Sequence, residues 1–231
     1  MLSARISKLY HDATEQNQSN ILSLLPTGSR LKLLDLGCDD GVWTKTMAER
    51  VGTSDIHGVE IVSEQAAKAR ALGVQVHVGD ICNGLPYEDA SFDIVHSNQV
   101  IEHVPSIDTF AAEIYRVLRP GGVAVISTEN ASSWHNIAAS VLGWQMFSLT
   151  NMSGLRGGIG NPLALHRDAA VQFTSWTHKV IFGYRGLQEF FEAHGFSQCR
   201  IRGAGYHPLP ASLGRLDVRH AHFLALCAVK A

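Results

Sequence analysis

A chain of 231 residues, 45% hydrophobic and 17% charged, can build one sizeable core, and a single domain is the default. Its net charge of −2 leaves no broad basic footprint for nucleic acid. No stretch approaches ~20 uninterrupted apolar residues and the first ten residues lack the pattern of a cleavable leader, so no membrane span is expected. Cys38, Cys82, Cys199 and Cys227 are scattered without a Cys-x-x-Cys pair, which reads as reduced thiols in a cytoplasmic protein.

Residues 2–25 carry Leu2, Ile6, Leu9, Ile21, Leu22 and Leu25 at helical spacing, and Pro26-Thr-Gly28 ends the segment. The polar middle, Thr14 to Asn20, predicts either two helices or a mobile flap. The apolar run 31–36 reads as a buried parallel strand. It turns through Gly37 and Gly41 into a helix from Trp43 to about Val51, which brings bare backbone close to a ligand. The spacing is not the Gly-x-Gly-x-x-Gly that seats a pyrophosphate. Asp35, Asp39 and Asp40 would repel phosphate but suit an ammonium or sulfonium, so a cationic, adenosine-type cofactor is expected.

Residues 55–61 read as a second strand ending near Glu60, and Ser63–Leu72 as a helix with a serine cap and Gly73 as stop. Strands follow at 74–78 and 92–96, an amphipathic helix at 107–118, Arg119-Pro-Gly-Gly122 as its stop, and a fifth strand at 123–128. This alternation predicts a doubly wound α/β sheet whose loops at Gly37, Glu60, Asp80 and Ser97 share one edge, where such sheets bind ligands. A helix from Arg185 to His194 and two paired antiparallel strands, 198–206 and 221–230, close the chain.

Residues 33–41 (LLDLGCDDG), 58–60 (GVE), 79–81 (GDI), 92–95 (FDIV), 101–104 (IEHV) and 118–122 (LRPGG), in this order and spacing, strongly resemble the class I S-adenosylmethionine-dependent methyltransferases, in particular the small-molecule enzymes. The resemblance implies a Rossmann-like seven-stranded sheet of order 3-2-1-4-5-7-6, its last strand antiparallel. It also implies S-adenosyl-L-methionine as methyl donor. It divides the chain into an N-terminal helical flap (1–30), a cofactor-binding core (31–128), a substrate lid insertion (129–183) and a final helix with antiparallel strands (184–231).

By that resemblance Glu60 accepts from the ribose hydroxyls, Asp80 from the adenine amino group, and Ile81 gives a backbone contact and apolar cover. Gly37 admits the methionine end, and Asp35 orients the loop. Asp39, Ile61, Ser97 and Asn98 complete the expected cofactor set. Methyl transfer from a sulfonium needs an aligned nucleophile and, for a hydroxyl, a proton acceptor. His103, His135 and His178 are the candidate bases. Asn130, Trp134 and His166 are the candidate substrate contacts in the insertion, with Tyr10 and His11 reaching over from the flap. The insertion is read as an apolar helical run over 137–149 followed by a flexible glycine-rich stretch, 154–162.

The ubiquinone-biosynthesis O-methyltransferases carry a Glu-x-x-Glu-His metal pattern here. Gln99 stands in place of the first acid, so no metal is expected. The reading is transfer to a small molecule, weakly favoured at oxygen, by a monomer or homodimer. The alternatives are lyase or cyclase chemistry on the same fold, or a protein or RNA acceptor.

Overall fold

The computed structural model describes residues 2–164, 167, 169, 170 and 176–231, with side chains from residue 7 onward. Seven strands form one sheet in the order β3-β2-β1-β4-β5-β7-β6. They are β1 (Leu33–Leu36), β2 (Ile56–Glu60), β3 (Gln75–Val78), β4 (Phe92–Asn98), β5 (Leu118–Glu129), β6 (Phe196–Ala204) and β7 (Phe223–Lys230). β7 runs antiparallel to both β5 and β6, and every other pairing is parallel.

All four residues of β1 are buried, as a central strand covered on both faces requires. The helices are α1 (Leu2–Leu24), α2 (Val42–Val51), α3 (Ser63–Ala71), α4 (Ile107–Val117), α5 (Trp134–Val141) and α6 (Tyr184–Ala193). One face of the sheet packs Leu34 and Leu36 with Phe110, Ile114 and Phe191 from α4 and α6. The other packs Leu33 and Ile94 with Ile21 and Met47 from α1 and α2. In α4 the buried Phe110, Ala111, Ile114 and Val117 make one helical stripe, and the Ser106 hydroxyl accepts from Thr109 N at its start.

The polar middle of α1 does not break it. The helix is continuous, and Gln16, Asn17 and Asn20 are buried against the sheet. Gln16 Oε1 accepts from Gly205 N at 2.9 Å, and Asn20 Nδ2 donates to Gly203 O at 3.0 Å. Those side chains satisfy backbone groups that the sheet leaves open, so polarity here marks docking. β5 begins at Leu118, where it meets Phe92, with a register irregularity before Val123. The expected strand started only after the glycines.

The insertion also departs from its pattern. Its helix, α5, ends at Val141, and a short 3₁₀ turn covers Phe147–Leu149. The glycine-rich stretch is anchored at Asn161, which is buried and donates to Gln145 O at 2.9 Å. A single parallel bridge, Asn130 to Phe182, joins the two ends of the insertion.

Candidate active site

The loop after β1 is shaped by positive φ angles at Gly37 (75°), Asp39 (46°) and Gly41 (81°). Gly37 N and Cys38 N donate to Val59 O, tying the loop to the end of β2. A Cβ on Gly37 would lie 2.5 Å from Val100 Cγ2, so only glycine leaves this cradle open. Glu60, the last residue of β2, accepts from Asp39 N (3.0 Å) and Val62 N (2.8 Å), one bond to each carboxylate oxygen. Each oxygen keeps a second acceptor direction for a ligand. Asp80 caps the 3₁₀ turn Ile81–Asn83 by accepting from Cys82 N through Oδ1, and its other oxygen is left for a ligand.

These residues line one cleft of about 1110 Å³ along the C-terminal edge of β1, β2 and β4. Gly37, Asp39, Glu60, Ile61, Asp80, Ile81 and Asn98 all face it. Burial and the charge of Asp40 raise the Asp39 carboxyl, against Lys68 and a hydrogen bond from Gln65. The donor set fits an adenosyl ligand with a charged amino acid end: two acceptor oxygens at a strand tip, an acid further along, and a bare backbone cradle.

Two of the expected cofactor residues act from behind the wall. Asp35 is buried and accepts from Thr44 Oγ1, while its Oδ1 lies 2.7 Å from His96 Nδ1. Ser97 is buried and donates to Leu36 O. Both brace the strand tips and neither lines the cleft.

The far end of the cleft is formed by Gln99, Val100, His103 and Val104 after β4, and by Asn151, Trp176, Thr177 and Lys179 from the insertion. Lys179 N donates to Glu102 O and Lys179 Nζ to His103 O, which zips the insertion onto the turn after β4. His103 Nδ1 donates to Thr177 O (3.3 Å), and His178 Nδ1 to Ser148 O (2.6 Å). With carbonyl partners both Nδ1 atoms carry a proton, and in the neutral His103 ring Nε2 is the acceptor. The two rings meet edge to face, centroids 4.6 Å apart. Burial, then the charge of His178, lowers His103 to about 4, so it is neutral at pH 7. Glu102, fully buried, accepts from Thr128 Oγ1, and burial pushes it up to about 8.

Three of the expected acceptor-side residues lie elsewhere. Asn130 is buried with all its capacity used: Nδ2 donates to Arg219 O and Ala221 O, and Oδ1 accepts from Ser132 N and Oγ. Trp134 stacks on His220 and donates to Tyr206 Oη, away from the cleft. His135 sits in a cluster with His207 and His222 and does not line the cleft. His166 lies outside the described residues. His11 is exposed beside Glu15, while Tyr10 packs near His222 and Phe223.

Sequence reading missed Asn17, whose Nδ2 donates to Ser127 Oγ (2.8 Å) and Asn98 Oδ1 (3.3 Å) at the tips of β4 and β5. It also missed Val100 and Lys179. Among the described residues no helix is long and apolar enough to cross a membrane.

Residues 34–126 match the family model described as methyltransferase domain. The malonyl-[acyl-carrier protein] O-methyltransferase of Erwinia billingiae is 32% identical over 120 residues, 51% of this chain and 45% of that protein. The 2-methyl-6-phytyl-1,4-hydroquinone methyltransferase of Synechocystis is 32% identical over 189 residues, 80% of this chain and 52% of that protein. The chain thus spans about half the length of these curated relatives. Among solved structures, a possible histamine N-methyltransferase of Thermotoga maritima superposes with a TM-score of 0.64 at 18% identity, covering 96% of this chain and 91% of that one. Phosphoethanolamine N-methyltransferase 2 of Haemonchus contortus, in complex with S-adenosyl-L-methionine, gives 0.59 at 17% identity, covering 94% of this chain and 52% of that one. The match over residues 34–126, the strand order and the cradle at Gly37, Glu60 and Asp80 together support a methyltransferase domain of the class I S-adenosylmethionine-dependent type.

Proposed function

We propose that the protein moves a methyl group from S-adenosyl-L-methionine to a small-molecule acceptor, at an oxygen, in the cytoplasm. Glu60 would hold the ribose, Asp80 and Ile81 the adenine, and the Gly37 backbone the amino acid end. Bound there, the cofactor supplies an electrophilic methyl on a sulfonium.

The observation that carries oxygen as the acceptor atom is His103. It lines the cleft, it is neutral at pH 7, and the Thr177 carbonyl commits its Nδ1 proton, leaving Nε2 to take a proton from a hydroxyl. His178, pinned by Ser148 O, packs against that ring and fixes its orientation. Gln99, Val100 and Trp176 enclose the space beside it, which suits a compact acceptor with an apolar portion. Relatives named for a malonyl-acyl carrier O-methyl transfer and for a hydroquinone support a hydroxylated or carboxylated small molecule. Four free thiols support a reducing compartment.

The test is methyl transfer from labelled cofactor to a panel of phenols, hydroquinones, carboxylates and amines, with wild type and His103→Ala. The expected result is turnover on a hydroxylated member, with kcat down by about 10²–10⁴-fold in the variant and unchanged affinity for S-adenosylhomocysteine. Turnover on amines alone, or a loss under about tenfold, would reject His103 as a base and oxygen as the acceptor. Labelling of protein or RNA alone would reject a small-molecule acceptor.

A further inference from the structure

Beyond the cleft, at the end of β5 and the start of β7, three imidazoles converge from three separate elements. His135 comes from α5, His207 from the loop after β6, and His222 from the residue before β7. Each offers one nitrogen, and the three ligand atoms all lie within 4.8 Å of one another. Nδ1 of His207 and Nδ1 of His222 are only 3.0 Å apart. The ring centroids of His222 are 4.6 Å from those of His135 and 4.5 Å from those of His207. His135 Nδ1 is buried and has no hydrogen-bond partner.

A core histidine cluster without a ligand leaves such an atom unsatisfied, which is costly in a buried place. A metal ion satisfies it. Nitrogens bound at ~2.0–2.1 Å in a tetrahedron around zinc sit about 3.3 Å apart, close to the separation already present between His207 and His222. Two of the three outer nitrogens have polar neighbours, while His207 Nε2 is buried without a hydrogen-bond partner. His222 Nε2 is 4.0 Å from Glu129 Oε1, and His135 Nε2 is 3.4 Å from Ser133 Oγ. Such outer partners fix the ring and raise its basicity.

We propose that His135, His207 and His222 hold a divalent transition-metal ion of the zinc type, with Glu129 as the carboxylate behind His222 and one coordination position left for an oxygen ligand. Three neutral imidazoles suit a borderline ion over calcium or magnesium, which need oxygen donors. The ion would staple α5 of the insertion to the carboxy-terminal strands. The site stands apart from the residues assigned to the methyl donor and does not depend on which acceptor is used.

The test is metal content of the purified full chain, followed by zinc titration against a chromophoric chelator. Wild type should take up about one equivalent. His207→Ala and His135→Ala should each lose that uptake, and Glu129→Gln should weaken it by about 10–100-fold. Cobalt in place of zinc should give the intense visible bands of a tetrahedral nitrogen and oxygen set, a readout that needs no variant. Removing the ion should lower the melting temperature. No uptake by wild type, or weak octahedral cobalt bands, would overturn the proposal. Uptake unchanged in His207→Ala but lost in His178→Ala would also overturn it, by moving the ion to Glu102, His103 and His178.

Discussion

Glu60 accepts from two backbone N–H groups on its own side of the cleft while keeping acceptor directions open. Glu60→Ala should therefore do two things at once: remove the ribose contacts and release the loop at Asp39. A charged hydrogen bond is worth about 1.5–3 kcal/mol, so affinity for S-adenosylhomocysteine by calorimetry should fall by about 10–100-fold for each bond lost. Glu60→Gln, which keeps shape but not charge, should lose less. Glu60 and Asp80 were readable because an acid at the tip of a strand meets whatever that sheet edge binds. Asn130, Trp134 and His135 were not readable, because their roles depend on Arg219, Tyr206 and His222, each more than seventy residues away. The same polar side chain serves a substrate or a distant carbonyl, and only the fold decides which.

The N-terminal helix is the element where local pattern misled most. Polar residues from Thr14 to Asn20 suggested a break, yet Asn17 bonds both hydroxyl and amide partners on β4 and β5. Asn17→Ala should leave Ser127 and Asn98 short of partners in a buried place. The expected cost is about 1–3 kcal/mol in urea unfolding, with a matching loss of order at the cleft. Apolar composition carried the sheet well: β1 is buried throughout although Asp35 interrupts its leucines, and β4 is buried except at Asp93 and Asn98. Helix α5 was harder, because the apolar run 137–149 folds as a helix and a separate turn around the buried Asn136.

Across the whole molecule, pH dependence follows from a few buried groups. Glu102 is raised to about 8, so the folded state keeps a proton that the unfolded chain has lost. Its contribution is fully present below the ordinary carboxylate range and is lost as pH rises towards 8. His103 and His207 are lowered to about 4, so they oppose this slope, but only below the ordinary imidazole range of about 6.5. Between about pH 6.5 and 8 Glu102 therefore acts with little opposition, and stability should fall by up to about 1.4 kcal/mol per pH unit. Denaturant titrations across this window should show the slope in wild type and a flatter profile in Glu102→Gln. Equal slopes would mean that Glu102 is ionised in the folded protein.

The bridge between Asn130 and Phe182 gives the insertion a property of its own. The 51 residues between Asn130 and Phe182 are bracketed by that bridge, and among the described residues Lys179 adds a tie to the turn after β4. Loop-closure entropy rises only with the logarithm of length, by about 0.6 kcal/mol per doubling. The segment is in effect a cassette plugged into a fixed socket. Its contents can be exchanged for a different acceptor while the Asn130 clasp to Arg219 and Ala221 keeps the socket shut.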